Sequence, residues 1–548
     1  MRILAVHPIY RANQTIVYIP LGLSIMCAVA EQHGHEVEVL DMHNLKIPYS
    51  VLENKLRNNE YQVCIMGGFS LQVSEMKVVT QIIQKIQPNC KVIVGGVGVA
   101  SMPEIIINYT RVDAVSVGEA ELTFPPLLQA IADGKPYYDI AGFSYRVNNS
   151  LIHQPRGPIP QNLDEIPWPA YHLFDIDYIS LRSYNGIPNG RSIHLMTSRG
   201  CPFRCDFCIN SILNNSALSR EIHGDKAGPS KAQRFRSIPS LITEIQHIQS
   251  TYGINDFHFT DEEFITHRKR LQEVCDAFES LGITWSTSGR ADWATDDKLA
   301  AMKRSGCHYI LFGVETGSQK MMDMMDKKAK KEAVVAGIQS ARKVGLSFIL
   351  NFMIGYPGET KETIEETIAF CKENRLLYAP SFVTLFPYSK MFLRFSKNIT
   401  DWENYFERLS RIDDTRGLFY NLTEFTDKKL FALRNHAVAT TMASYVFPNA
   451  PKLLNPILTW CFRAGLALMD IMPSTTRKII RDFIRYHLDL KKSFSGRKIR
   501  SRQILPHDVE RKLPKDTMPD SYEKSVLELI EKKTVKLPAE EQRDIENE

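Results

Sequence analysis

Cysteine is scarce in this chain, with ten in 548 residues. Seven of them (Cys27, Cys64, Cys90, Cys275, Cys307, Cys371 and Cys461) stand alone, mostly inside apolar runs. Isolated thiols of this kind suit a reducing compartment and exclude a disulfide-framed secreted fold. No basic n-region followed by an apolar h-region opens the chain; MRILAVHP reads as a buried strand, and the expectation is a cytoplasmic protein. Strong charge is also absent. A net +5 over this length does not argue for nucleic acid. The longest apolar stretch, 453–472, is broken by Pro456, Arg463 and Asp470, which disfavours a membrane span. Finally, the first βα turn, HPIYRANQ, has no glycine, so a dinucleotide bound through GxGxxG is disfavoured.

The length is too great for one core and implies about three domains. Residues 1–150 alternate short apolar runs with amphipathic helical segments. RILAVHP (2–8), EVEVLD (36–41), VCIMGG (63–68), KVIVGG (91–96) and AVSVGE (114–119) read as strands buried on both faces. Repeated β-then-α units predict a doubly wound parallel sheet, which takes ligands at the C-terminal ends of its strands. Glycines cluster there, at Gly67, Gly68, Gly95, Gly96 and Gly118. The plainer role for each glycine is a tight βα turn.

Residues 151–190, with six prolines between Pro155 and Pro188, read as a linker. A second βα series occupies 191–388, with strands at 192–198, 256–261, 284–289, 309–315, 347–355 and 381–387. Six consecutive units predict a partial TIM-like barrel, with chemistry at the strands' C-terminal rim. From 389 to 548 the pattern is mainly helical. Positions 477–512 carry twelve Lys/Arg against four Asp/Glu. That basic segment is a candidate for peripheral contact with an anionic membrane, against the plainer reading of a solvated tail.

The remaining three cysteines, Cys201, Cys205 and Cys208, lie together in CPFRCDFC, directly after the first strand of the second series. A disulfide would leave one thiol over. A structural zinc needs four ligands, and no second Cys or His pair stands out. An iron–sulfur cluster held by three thiolates keeps one iron open for a substrate or cofactor.

CPFRCDFC, with Phe207 before the last cysteine, resembles the cluster loop of the radical S-adenosylmethionine (SAM) enzymes. The resemblance implies that Cys201, Cys205 and Cys208 hold a 4Fe–4S cluster, that its open iron binds SAM, and that Phe207 lies near the adenine. TDEEF (260–264), GVETGSQ (313–319) and FMIGYPGET (352–360) resemble further family segments, which implies that Asp261, Glu315 and Gly355, with Arg290 after the third strand, lie around SAM. The plainer readings are helix capping for Asp261 and Glu263, and an ion pair between Glu315 and Arg290.

The N-terminal segments YIPLGLSIMCAVAEQHGHEVEVLD, KVIVGGVGVASMPE and VDAVSVGEAELTFPPLL, with LDEIPWPAYHLF, resemble the cobalamin-binding branch of that family. Its flavodoxin-like domain implies cobalamin beside Gly67, Gly68, Ser70, Gly95, Gly96, Gly118 and Glu119. Asp41-Met42-His43 begins like a cobalt-ligand motif, but Lys46 stands where that motif has glycine. Asp41 is expected to be a strand-end residue and His43 not a ligand, while His7 is better placed.

The family implies reductive cleavage of SAM to a 5′-deoxyadenosyl radical and methylation of an unactivated carbon. The partners implied are a small substrate, apolar or polycyclic, and an electron donor such as flavodoxin or ferredoxin. The rivals are an oxidative cyclase of the anaerobic Mg-protoporphyrin monomethyl ester type and a non-catalytic, zinc-stabilised binding module.

Overall fold

A computed structural model describes residues 1–10, 17–100, 102–148, 150–182, 190–209, 233–387, 389–396, 399–411, 417–446 and 454–471. The first sheet has seven strands: β1 (Arg2–His7), β2 (Glu36–Asp41), β3 (Val63–Gly67), β4 (Lys91–Gly95), β5 (Ala114–Ser116), β6 (Phe143–Val147) and β7 (Ser150–His153). Their order is β2-β1-β3-β4-β5-β6-β7. β1 to β5 are parallel, and their Val/Ile/Leu side chains are buried on both faces beneath helices such as Leu21–Gln32 and Val73–Ile86. β6 and β7 form an antiparallel hairpin that extends the sheet to His153, three residues past the expected edge. Its turn is marked by Asn148 at φ +54°, a conformation that asparagine tolerates.

The second sheet contains β8 (Ser192–Leu195), β11 (Asp256–Phe259), β12 (Thr284–Gly289), β13 (Cys307–Glu315), β14 (Ser347–Ile354) and β15 (Ser381–Phe382), all parallel and neighbours in chain order. A separate two-residue antiparallel ribbon, β9 (Ser198–Arg199) with β10 (Arg234–Phe235), closes the base of the excursion that starts with the cysteines. Alternate residues Ile193, Phe257, Trp285 and Ile310 pack against the surrounding helices. Trp285 is fully buried and donates its indole N–H to Ser305 O at 2.9 Å.

The segment expected to be a linker is firmly packed. Tyr171, Phe174, Ile176 and Ile179 enter the core of the second sheet, and Tyr171 donates to the buried Glu244 at 2.7 Å. The helical region divides its contacts. Tyr405 and Phe406 of helix Trp402–Arg411 join the apolar cluster of the first sheet, with Phe406 4.9 Å from Tyr109. Leu430 and Leu433 of helix Asp427–Val446 pack with the second. Among the described residues, no helix is long and apolar enough to cross a membrane. The basic stretch 477–512 lies outside the described residues.

Candidate active site at two facing sheet edges

Cys201, Cys205 and Cys208 sit on one loop directly after β9, each partly exposed and none in a disulfide. Burial pushes the Cys201 thiol up to about 12. Cys205 is also raised by burial, with Lys327 and Arg290 pulling the other way. Arg290 Nη1 lies 3.7 Å from Cys205 Sγ. Cations at that distance stabilise thiolate, the form that binds iron. Among the described residues, no three His, Cys, Asp or Glu side chains are grouped to hold a single metal ion.

Four contacts fix this loop. The buried Asp206 carboxylate accepts from Tyr356 Oη at 2.5 Å and from Arg394 Nη2 at 2.5 Å. Asp206 N donates to Met325 O at 2.9 Å, and Met391 N donates to Asp206 O at 3.0 Å. The middle of the cysteine motif is therefore tied to the turn after β14, to Met325 at the end of the helix Gln319–Met324, and to the helix Lys390–Phe395. Phe207, partly buried, packs against the cluster of apolar side chains shared with the first sheet.

The acidic turn after β11 supports the same loop from below. Asp261 accepts from Thr197 N at 3.0 Å, Thr197 Oγ1 at 2.7 Å and Ser198 Oγ at 2.5 Å. Glu262 accepts from Gly200 N at 3.1 Å, next to Cys201, and Glu263 from Ile265 N at 3.0 Å. Burial raises the pKa of all three carboxyls. Asp261 thus holds the approach to the cysteines rather than capping a helix, the next helix having His267 at its N-cap.

Arg290 and Glu315 do not pair. Arg290 forks onto Asp292 at 3.1 and 2.8 Å, donates to Lys327 O at 2.6 Å and stacks 3.9 Å over Phe203. Glu315 instead meets the buried Lys327, Oε1 to Nζ, at 3.6 Å. It has φ +70° at a register shift between β13 and β14, a strained conformation for a residue with a side chain. Gly355, at φ +91° after β14, donates its N–H to Glu359 at 2.5 Å. Burial pushes Glu359 up to about 7.

Across the first sheet, the Gly67–Gly68 and Gly95–Gly96 backbones are accessible, beside Phe69 at 42% exposure, while Ser70 is buried. The two loops press directly on each other. A Cβ on Gly96 would lie 2.6 Å from Gly68 O, and one on Gly98 would lie 1.9 Å from Ser70 N. Gly118 packs on Arg156, and Glu119 is held by Arg199 (2.6 Å) and Arg234. His7 is buried; Nδ1 meets Asp41 at 2.9 Å and Nε2 meets Tyr18 Oη at 3.3 Å. His43 Nδ1 accepts from Tyr10 N at 3.1 Å. Both ring nitrogens of His7 are thus engaged by protein partners.

Sequence reasoning passed over Asp206, Lys327, Tyr356, Arg394 and the Arg199–Arg234 pair, because each acts through partners distant in the chain. It also passed over a row at matched register on the second sheet: His194, His258, Ser286 and Tyr309, on the face opposite Phe257 and Trp285. Burial lowers His194 to about 3 and His258 to about 4, so both are neutral.

The two sheets present these edges to each other. Phe207, Met321, Met325 and Tyr356 from the second sheet's rim share an apolar cluster with Met66, Leu71 and Val99 of the first.

Comparison with known proteins gives consistent assignments. Residues 195–371 match the radical SAM superfamily, and 9–128 match the B12 binding domain. The chain is 30% identical over 372 residues to an uncharacterized methyltransferase of Pyrococcus horikoshii, covering 67% of this chain and 76% of that one. It is 23% identical over 428 residues to the anaerobic magnesium-protoporphyrin IX monomethyl ester cyclase of Rubrivivax gelatinosus, covering 74% and 72%. Its fold is similar to that of the radical SAM methyltransferase TsrM from Kitasatospora setae, solved with tryptophan and a SAM analogue. The TM-score is 0.58 at 17% identity, over 72% of this chain and 76% of that chain.

Proposed function

The chain belongs to the cobalamin-binding radical SAM enzymes, and we propose that within this family it methylates an unactivated carbon of a largely apolar small molecule. The observation that carries the reading is the meeting of two ligand-binding edges: the cysteine loop after β9 and the glycine-rich edge of β3 and β4, joined by one apolar cluster. Two reactive centres must reach one substrate position in a water-poor cleft, and facing edges supply that proximity.

Cys201, Cys205 and Cys208 would hold the 4Fe–4S cluster. Their chemistry fits: three soft ligands on one loop, with Arg290 and Lys327 offsetting the negative charge of Cys205. Gly67, Gly68, Gly95 and Gly96 would underlie the corrin, where accessible backbone without side chains allows close approach. When bound, the cluster and SAM supply the hydrogen-abstracting radical and cobalamin supplies the methyl group.

The protein's own residues orient and exclude. Asp206, Tyr356 and Arg394 fix the cysteine loop; Asp261 and Glu262 fix its approach. Glu315, strained and paired with Lys327, is placed at the rim for the polar groups of SAM, with Gly355 and Phe207 lining the adenine side. On this reading residues 1–150 are the cobalamin domain, and 191–388 a six-unit partial barrel. The described helices between 389 and 471 help choose the substrate. A reductant such as flavodoxin or ferredoxin supplies electrons, and the basic tail is the candidate for membrane contact.

Product stoichiometry tests the reading. After anaerobic reconstitution and supply of substrate, S-adenosylhomocysteine and 5′-deoxyadenosine in equal amounts are expected. Deoxyadenosine alone would replace methylation by the cyclase-type reaction of the Rubrivivax relative.

A further inference from the structure

The β9–β10 ribbon contains an electrostatic conflict. Arg199 and Arg234 stand directly opposite each other in an antiparallel pair, both with buried side chains. Like charges so placed repel, and a ribbon of two residues per strand has few ladder bonds of its own to offset that repulsion, beyond the anchoring of Ser198 and Gly200 by Asp261 and Glu262. The conflict is resolved from the other sheet. Glu119, three residues after β5, accepts from both arginines: Oε2 from Arg199 Nη1 at 2.6 Å, and Oε1 from Arg234 Nη2. Glu121 takes the second arm of the Arg199 fork at 2.7 Å and is itself buried. Arg234 also donates to Pro160 O in the segment between the sheets.

We infer that Glu119 and Glu121, with Arg199 and Arg234, form a clamp that makes the geometry of the cysteine loop conditional on docking of the first sheet's β5 edge. Arg199 is two residues from Cys201, and the ribbon it shares with Arg234 closes the excursion that begins with the cysteines. Without Glu119 the two arginines push the base of that excursion open. With it, the cysteine loop is registered against the edge that the proposed function gives to cobalamin, and the clamp's role rests on that reading. Glu119 is thereby a positioning residue rather than a corrin contact. An ordinary surface ion pair would not act this way, because solvent screens it and nothing else depends on it. Here the fork of Arg199 spans two carboxylates at once, a geometry lysine cannot reproduce.

The test uses the full chain with Arg199→Lys and Glu119→Gln, changes that keep size and much of the hydrogen bonding. In the cofactor-free protein, amide hydrogen exchange in 117–122 and 196–209 is expected to rise about tenfold or more, with the strands of both sheets unchanged. After reconstitution, iron, sulfide and cobalamin contents are expected to match the parent. The distance distribution between reduced cluster and Co(II), read by pulsed dipolar EPR, is expected to broaden. Unchanged exchange in both segments would overturn the clamp. So would a distribution as narrow as the parent's, and selective loss of cobalamin would make Glu119 a binding residue instead. If the parent takes up neither cofactor, the functional reading fails while hydrogen exchange alone still decides whether the first sheet's loop controls the ribbon.

Discussion

Glu359 is buried in the turn after β14, and its burial sets the sign of a pH dependence. Its carboxylate accepts from Gly355 N at 2.5 Å, and it is only 3% exposed. Burial raises its pKa from 4.5 to about 7. A raised folded-state pKa means the native protein keeps a proton that the unfolded chain has released. The resulting stabilisation is fully present below pH 4.5 and is lost as pH rises through 7. Integrated over the shift, the loss is about 3 kcal/mol. Glu359→Gln keeps an oxygen for the Gly355 N–H and has nothing to ionise. The variant should therefore gain on the parent as pH increases, by about 3 kcal/mol between pH 4.5 and 8. In a chain of several cores this is best read as the difference in thermal midpoint across that range, several degrees in the variant's favour at the alkaline end. A difference that stays flat with pH, or one that moves in the parent's favour, would refute the reasoning.

Three further outcomes follow from contacts around the site. Tyr356→Phe removes the 2.5 Å bond to Asp206 and should cost about 1–3 kcal/mol in local stability. The reconstituted protein should then lose iron faster to a chelator, with cobalamin uptake unaffected. Gly98→Ala drives a methyl into Ser70 N and should impair cobalamin uptake, read by absorbance, while cluster loading survives. Cys205→Ala should abolish SAM cleavage yet leave cobalamin bound; loss of both would mark the cysteine loop as a structural element.

Much of the architecture was legible because it is written in local pattern. Runs such as VCIMGG and KVIVGG have no polar alternation, as strands covered on both faces require, and β12 falls on TWSTSG. The β6–β7 hairpin was missed. FSYRV alternates and Asn-Asn marks its turn, a pattern unlike the uninterrupted apolar runs of the other strands in that sheet. The run of prolines from Pro155 suggested a loose linker, whereas Tyr171 and Phe174 are core residues; proline restricts the backbone without preventing a side chain from being buried. At the site, the grouping of the three cysteines on one loop was readable from spacing. The contacts that hold it were not. Asp206 meets Tyr356 across 150 positions and Arg394 across 188, and no short motif encodes a pair so separated. Glu315 was given Arg290 as its plainer partner; Asp292 claims that guanidinium from two residues away, leaving Lys327 for Glu315.

The central claim is that three thiolates hold a cluster with one iron left open, on an edge that faces cobalamin. The most direct test is the EPR spectrum of the anaerobically reconstituted, reduced protein, recorded with iron, sulfide, cobalt and zinc analysis, before and after SAM is added. A 4Fe–4S signal that changes on adding SAM, in protein that also carries one cobalamin, is the expected result. One zinc with no iron, or a cluster signal indifferent to SAM, would contradict the account.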